Sequence, residues 1–160
     1  MSHIASSIQG DFNDPAPEAI ISLDVNGRVL MTRDMDLIRK ILLKVETWTD
    51  ITPKVVDIDD EPDKIKIFRH VEMLCAAGML EPIGGPQAHM NVNVRQLNIK
   101  DMTWEGHEFV ATLKNDTVWN KIKSSFSAQQ IAHMPIETLK AVALGLSLAW
   151  AKRAVGLTGG

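Results

Sequence analysis

The spacing of apolar residues after Met31 constrains the fold of this chain more than any other feature. Apolar side chains first recur at three- and four-residue steps, which predicts an amphipathic helix over residues 33–48. That stripe consists of Ile38, Ile41, Leu42, Val45 and Trp48. Residues 49–53 break the helix, and the alternating run at 54–58 predicts a short strand.

A second helical stripe predicts a helix over residues 64–77. Its buried spine consists of Ile67, Val71 and Leu74. We expect Asp59 or Asp60 to cap the start of this helix, because a carboxylate can accept the free backbone N–H groups of the first turn. Gly78 is the expected end, since glycine readily adopts the left-handed conformation that closes a helix.

Two apolar-rich runs, 79–83 and 90–99, flank the turn sequence Gly84-Gly85-Pro86 and predict a two-stranded ribbon. The second run changes its alternating phase near Arg95, which favours a bulge there. Helix, strand, helix and ribbon follow the order of a winged helix that lacks one helix. The predicted fold is therefore α+β and mainly helical, with a winged-helix-like core, a two-stranded wing and C-terminal helices.

Two short helices are predicted after the ribbon. Thr103 should cap the first, and Gly106 should let that helix lie close to its neighbour. Asp116 or Thr117 should start the second. Two tryptophans lie at helical spacing with other apolar residues, so we expect both to belong to the core rather than to stack on bases. They are Trp104 and Trp119.

The last predicted helix spans residues 135–155 and is apolar over most of its circumference. Such a helix needs cover on more than one side, from this chain or from a partner. Small residues recur along it at four-residue steps, which permits another helix to approach closely. They are Ala141, Gly145 and Ala149. We therefore predict a homodimer through the 135–155 helix.

Residues 1–31 have a different character. Serine, glycine and proline dominate the beginning, and Asn26-Gly27 between two apolar runs predicts a hairpin. We interpret this segment as a mobile arm that contains a hairpin; the alternative is that Met31 is the natural start. The predicted divisions are the arm at 1–31, the winged-helix-like core at 32–102 and a helical extension at 103–160 that packs on the core.

The charge balance argues against a general nucleic-acid binder. The chain has 17 lysine and arginine residues, 20 aspartate and glutamate residues and a net charge of −3. Residues 1–32 carry this whole excess, so the remainder is neutral. Proteins that bind nucleic acids without sequence preference are usually basic, because phosphate contacts supply most of their affinity. Any nucleic-acid binding must therefore come from a local patch.

Other compositional features narrow the setting of the protein. Its single cysteine excludes an internal disulfide framework and a cysteine-based zinc site. The longest uncharged apolar stretch, 141–151, is too short to cross a bilayer, and the N-terminus does not have the pattern of a secretory signal. We expect a soluble cytoplasmic protein without a membrane partner.

Few residues suggest catalysis. Glu105, His107 and Glu108 lie together on one predicted helix, but their spacing differs from that of a His-Glu-x-x-His metal helix. Cys75 lies near a helix C-terminus among apolar neighbours, which favours a small core residue over a nucleophile. We therefore expect no enzyme activity, no catalytic or metal-binding residues and no cofactor.

Four stretches of the chain resemble the domain of unknown function 2513 family of bacteria and phages. They are RDMDLIRKILL at 33–43, HVEMLCAAGML at 70–80, TWEGHEF at 103–109 and NDTVWNK at 115–121. The resemblance covers about residues 31–157. It implies a winged-helix-like fold and frequent residence in prophages, but no established activity.

The best candidate binding surface is the outer face of the 64–77 helix together with the ribbon. The candidate nucleic-acid-binding residues are Lys64, Lys66, Arg69, His70 and Arg95. His70 lies between Ile67 and Leu74, which also favours a half-buried packing role. Two function classes follow: a phage-type winged-helix protein that binds duplex DNA, and an interaction module that binds a host protein. In the second case these charges form an ordinary solvated face.

Overall fold

The computed structural model describes residues 22–23, 25–26, 29–30, 32–84 and 97–157. The chain divides after Thr32 into two units. In the first unit, β1 (Ser22–Leu23) pairs antiparallel with β2 (Val29–Leu30), and the sequence between them contains Asn26-Gly27. The predicted mobility of the arm concerns mainly residues 1–21, which lie outside the described residues.

The second unit is mainly helical, which confirms the predicted α+β class. Its described part runs in the order α1, β3, α2, β4, β5, α3, α4, α5 and α6. The bounds are Met35–Glu46 for α1, Lys54–Val55 for β3, Lys64–Ala76 for α2, Leu80–Pro82 for β4, Asn98–Met102 for β5, Trp104–Leu113 for α3, Asp116–Ser125 for α4, Ala128–His133 for α5 and Ile136–Ala154 for α6.

The sheet has three antiparallel strands in the spatial order β3-β5-β4. Leu80 on β4 faces Met102 on β5, so the partner strand of β4 begins at the end of the predicted 90–99 run and extends to Met102. On the other edge of β5, Lys54 of β3 faces Ile99, so the run at 54–58 adds a third strand that the two-stranded prediction left out. The predicted turn and bulge fall mostly in 85–96, outside the described residues.

Side-chain caps fix where the first two helices begin. The carboxylate of Asp34 accepts the Leu37 backbone N–H at 3.0 Å at the start of α1. At the start of α2 the cap is Asp63, which accepts two backbone N–H groups at 3.0 Å. The prediction of Asp59 or Asp60 as this cap is wrong, because both lie in a turn before Asp63 and form ion pairs with α1.

One hydrophobic cluster holds the second unit together. Helix α1 contacts both α2 and α3, and Ile41 and Leu42 at its centre are fully buried. Leu80 and Ile99 from the sheet, together with Phe109 from α3, belong to the same cluster. The segments predicted as core and as helical extension therefore share a single core.

The two tryptophans that were expected in the core have different environments. Trp119 on α4 is buried, and its indole N–H donates to the Asp36 carboxylate at 2.8 Å. Trp104 is 75% exposed at the first position of α3, so its assignment to the core is wrong. A residue in the first turn can share the helical spacing of a buried stripe and still lie beyond the core.

One short helix was not predicted from the sequence. Helix α5 is closed at its start by a capping box, in which the Ser127 hydroxyl and the Gln130 side chain satisfy each other's backbone N–H groups. Only Ile131 and Ala132 are buried in it. Two adjacent apolar residues show no helical periodicity. Only the capping pair, Ser127 and Gln130, could have predicted this helix from the sequence.

The turn from β5 into α3 is a tight joint between three elements. The Thr103 hydroxyl donates to the Gly78 carbonyl at 2.6 Å and accepts the Gly106 N–H at 3.1 Å, while the Thr103 N–H donates to the Met79 carbonyl. A Cβ atom on Gly106 would lie 2.2 Å from the Met79 carbonyl oxygen. The predicted roles of Thr103 as a cap and Gly106 as a close-packing residue are confirmed.

We predict that Gly106→Ala lowers the free energy of unfolding. The added methyl would also lie 2.5 Å from the Met102 side chain, and overpacking of this kind costs about 1–3 kcal/mol or more. Urea denaturation followed by circular dichroism measures the change. Glu108→Ala, on the exposed side of the same helix, is the control and should change stability by less than about 0.5 kcal/mol. Equal stability of the Gly106→Ala variant and the wild type would contradict the joint.

Candidate functional site

Both lysines among the predicted DNA-binding residues of α2 pair closely with carboxylates of the same chain. Lys64 pairs with Asp57. The Lys66 ammonium lies 2.8 Å from an Asp34 oxygen and 2.9 Å from a Glu61 oxygen, and its side chain is only 32% exposed. Desolvation opposes the charge on Lys66, but these two hydrogen bonds outweigh it and raise its pKa.

His70 lies in the interior and connects α1 to α2. Its Nε2 accepts the Asp34 backbone N–H at 2.9 Å, so the neutral ring carries its proton on Nδ1 and donates to the Lys66 carbonyl at 2.8 Å. Its residue surface is completely buried, and this desolvation lowers its pKa. These contacts agree with the helix-packing interpretation of His70, and its burial keeps it off the candidate nucleic-acid surface.

Arg69 is the least closely paired of the three predicted cations on α2. Its side chain is 57% exposed, and its Nε lies 3.9 Å from a Glu72 oxygen, beyond hydrogen-bond distance. Arg95 lies outside the described residues. Of the five predicted residues, Lys64, Lys66 and Arg69 thus remain as described cations on α2; we call these three the α2 face.

The turn before α2 supplies counter-charges to both neighbouring helices. Its four carboxylates, which we call the acidic turn, are Asp57, Asp59, Asp60 and Glu61. Besides the two lysines of the α2 face, they pair with Lys40 and Lys44 of α1. With the carboxylates of Asp34, Asp63 and Glu72 included, seven acidic groups surround five cations. The local charge is therefore negative, which disfavours phosphate binding.

The same turn borders an open depression of about 460 Å³. Its lining includes two apolar side chains, Leu43 and Ile58, two lysines of α1 and three aspartates of the acidic turn. Its lysines and aspartates pair with one another or with Lys64. The depression therefore presents no free charge of one sign that would orient a small ligand.

The remaining candidates for chemistry are dispersed. Glu105, His107 and Glu108 are all exposed on α3, and the described part of the chain contains no group of three such side chains that could hold a metal ion. Burial, together with the nearby Glu72 carboxylate, raises the pKa of Cys75 to about 11. This thiol is consequently protonated near neutral pH and is a poor nucleophile.

Helix α6 carries more exposed large apolar side chains than any other described helix or strand. Its buried side is set by Leu139 and Ala143, and the helix packs on α3 and α4. Leu144, Leu148 and Trp150 are each more than half exposed. None of the described helices is long and apolar enough to span a membrane.

The last part of α6 extends past the core. Every residue from 148 to 157, which we call the α6 end, is exposed. The backbone there closes in a Schellman motif: the Gly156 N–H donates to the Arg153 carbonyl, and the Leu157 N–H donates to the Lys152 carbonyl. Gly156 has φ +71°, which glycine adopts without strain. The α6 end is thus a helix with a defined stop rather than a fraying tail.

The position of Trp150 could not be read from spacing alone. Trp150 follows the buried Leu139 by eleven residues, which is about three helical turns, so both lie on the same side of α6. It is nevertheless 58% exposed, because the core ends before it. The sequence shows more apolar residues in this helix than one buried stripe needs. This excess predicted an uncovered apolar surface on α6, but not where along the helix it lies.

Comparison with known proteins agrees with the motifs described above. The family model of the DUF2513 hypothetical proteins matches residues 32–132. This chain belongs to the DUF2513 family. It is also 32% identical over 114 residues to an uncharacterized protein of Haemophilus influenzae, an alignment that covers 71% of this chain and 92% of the relative. No solved structure matches the chain.

We predict that His70 makes folding stability sensitive to mild acid. Its pKa is lowered in the folded protein and is ordinarily 6.5, so the unfolded chain binds more protons as the pH falls below that value. The free energy of unfolding should therefore decrease as the pH falls through this window. Urea denaturation of the wild type and of His70→Gln at pH 7.5 and pH 5.5 measures the effect.

The His70→Gln variant should lose less stability between the two pH values than the wild type does. Asp34, whose carboxylate acts on His70, does not interfere: burial opposes its charge, but hydrogen bonds from Lys66 and Leu37 outweigh this and lower its pKa below 3.8. An equal pH dependence in both proteins would contradict the assignment of this effect to the buried imidazole.

Proposed function

We propose that this protein is a non-catalytic interaction protein that binds another protein through the α6 end. The observation that carries the proposal is the exposure of Trp150 on a helix with a defined stop. Tryptophan is enriched among the residues that dominate binding energy, since it offers a large apolar area with few rotatable bonds. An amphipathic helix that enters a groove is a common way of recognising a protein.

The charges of the α6 end indicate the chemistry of the partner. Lys152 and Arg153 are exposed, and within the described residues neither forms an ion pair. Leu148, Trp150 and Val155 supply the apolar surface beside them. A complementary partner therefore has an apolar groove with carboxylates at its rim. This is the second of the two function classes that the sequence predicts, and its connection with phages stays a prediction.

Duplex DNA is a second candidate. The order α1-β3-α2-β4-β5 follows the predicted winged-helix-like order with one helix replaced, and Arg69 is exposed on α2 with a guanidinium that could bind a guanine edge. The negative surroundings of the α2 face weigh against it, because phosphate contacts need unneutralised cations. We therefore rank DNA below a protein partner.

A capture experiment from host lysate tests this proposal. The immobilised full chain should retain a partner after nuclease treatment, and Trp150→Ala should reduce retention about tenfold or more, as expected for a binding-dominant tryptophan. The matched control is Trp104→Ala, which removes a tryptophan that is also exposed, from a different helix. It should retain the partner as the wild type does.

Three outcomes would contradict the proposal. Equal retention by wild type and Trp150→Ala would show that the α6 end is not the binding surface, and equal loss in both tryptophan variants would show that the effect is not specific to it. Retention that disappears after nuclease treatment would favour DNA instead. Circular dichroism of each variant verifies that the helices are intact.

A further inference from the structure

The depression between α1 and the acidic turn combines an apolar lining with an excess of carboxylates. Its volume of about 460 Å³ falls within the range of about 300–1,000 Å³ that is common for ligand pockets. Most of its accessible lining is apolar, and Leu43 and Ile58 contribute to that lining. The charged side chains around it are two lysines and three aspartates, which gives a net charge of −1.

Asp59 is the carboxylate of this lining that the fold uses least. Its side chain is 94% exposed, and its ion pair with Lys44 spans 3.9 Å, which is beyond hydrogen-bond distance. Asp57 and Asp60, by contrast, each accept a hydrogen bond from a lysine ammonium. A cation from outside the chain can therefore bind Asp59 without breaking a hydrogen bond between described residues.

The α6 end carries groups that complement this depression. Trp150 and Arg153 are three residues apart in the helix, so they are neighbours on one face. Both are exposed. The α6 end also contains Lys152 and has no acidic residue, so its net charge is +2. A large apolar side chain beside a cation thus matches an apolar depression beside a carboxylate.

Each chain contains both halves of this match, on different elements. Helix α6 packs on α3 and α4, whereas α1 and the acidic turn line the depression. Every residue of the α6 end is exposed, so the chain does not fill its own depression with this segment. In a two-fold pair, residue i of one copy meets residue j of the other, and j meets i. Two copies can therefore make the same contact twice.

We propose that this chain forms a homodimer in which the α6 end of each copy occupies the depression of the other, with Trp150 on the apolar lining and Arg153 on Asp59. The inference rests on the proposed function, because it names a second copy of the chain as a partner of the α6 end. A tryptophan side chain can bury about 150–250 Å², and burying two of them supplies the main driving force.

Sedimentation of the full chain at high micromolar concentration tests the dimer. The wild type should sediment at twice the 17.7 kDa of one chain. Trp150→Ala should weaken dimerisation about tenfold or more, because both apolar contacts lose their largest side chain. The matched control is Trp104→Ala, which removes an exposed tryptophan from α3 and should dimerise as the wild type does.

Charge reversal tests which groups meet. Asp59→Arg and Arg153→Glu should each weaken dimerisation about tenfold or more, because each brings like charges together in both contacts. An equimolar mixture of the two variants should dimerise within about threefold of the wild type, since both contacts of the mixed dimer then join opposite charges. Glu108→Arg, which reverses an exposed carboxylate on α3, is the control and should leave dimerisation unchanged.

A wild-type protein that sediments as a monomer would overturn this inference. So would a dimer that neither Trp150→Ala nor Asp59→Arg weakens. If each reversal weakens the dimer and the mixture does not restore it, Arg153 does not meet Asp59 and the reciprocal contact is wrong. Asp59→Arg leaves the α6 end intact, so capture of a different protein from host lysate by this variant tests the proposed function separately.

Discussion

The ion pairs between the acidic turn and the lysines of α1 and α2 determine which surfaces of this protein are free. Four carboxylates within five residues, 57–61, take up four lysines, two from each helix. Each such surface pair contributes little stability by itself, about 0–1 kcal/mol. Together these pairs neutralise the lysines of α1 and α2. The α2 face, which resembles a recognition helix, therefore has few unneutralised charges.

Lys66 and His70 extend this network into the core. Asp34 caps α1, accepts the Lys66 ammonium and donates its backbone N–H to His70, so one residue connects the start of α1 with the middle of α2. His70 accepts this bond only while its ring is neutral. The orientation of α1 and α2 therefore depends on Lys66 and His70, which the sequence of α2 alone suggests as ligand-binding residues.

Local patterns in the sequence predicted the local parts of the fold. The stripes of α1 and α2 and the Thr103 cap depend on residues within one or two turns, and the structure confirms them. The close packing of Gly106 was predicted from the local Thr-x-x-Gly pattern, although the atom that it approaches belongs to Met79, far away in the sequence. The pairing of β3 with β5 joins residues more than forty positions apart, and short-range alternation could not reveal it. The exposure of Trp104 and Trp150 depends on where the core ends, which is likewise a non-local property.

The candidate sites also depend on contacts between residues that are distant in the sequence. Helical spacing correctly placed Lys64, Lys66 and Arg69 on α2, but the identity of their ion-pair partners decided what those residues can do. The run of acidic residues was visible in the sequence and was read as a solvated loop. Its role as a set of counter-charges emerged only when α1 and α2 were seen on either side of it.

Titration of a fluorescent random-sequence DNA duplex at low salt tests most directly whether the cations of the α2 face are neutralised within the fold. Low salt strengthens every phosphate contact, so it gives DNA binding its best opportunity. We expect wild type and Arg69→Ala to produce the same small change in anisotropy, without saturation at micromolar protein. Saturable binding by the wild type that Arg69→Ala abolishes would contradict it and restore α2 as a DNA-recognition helix.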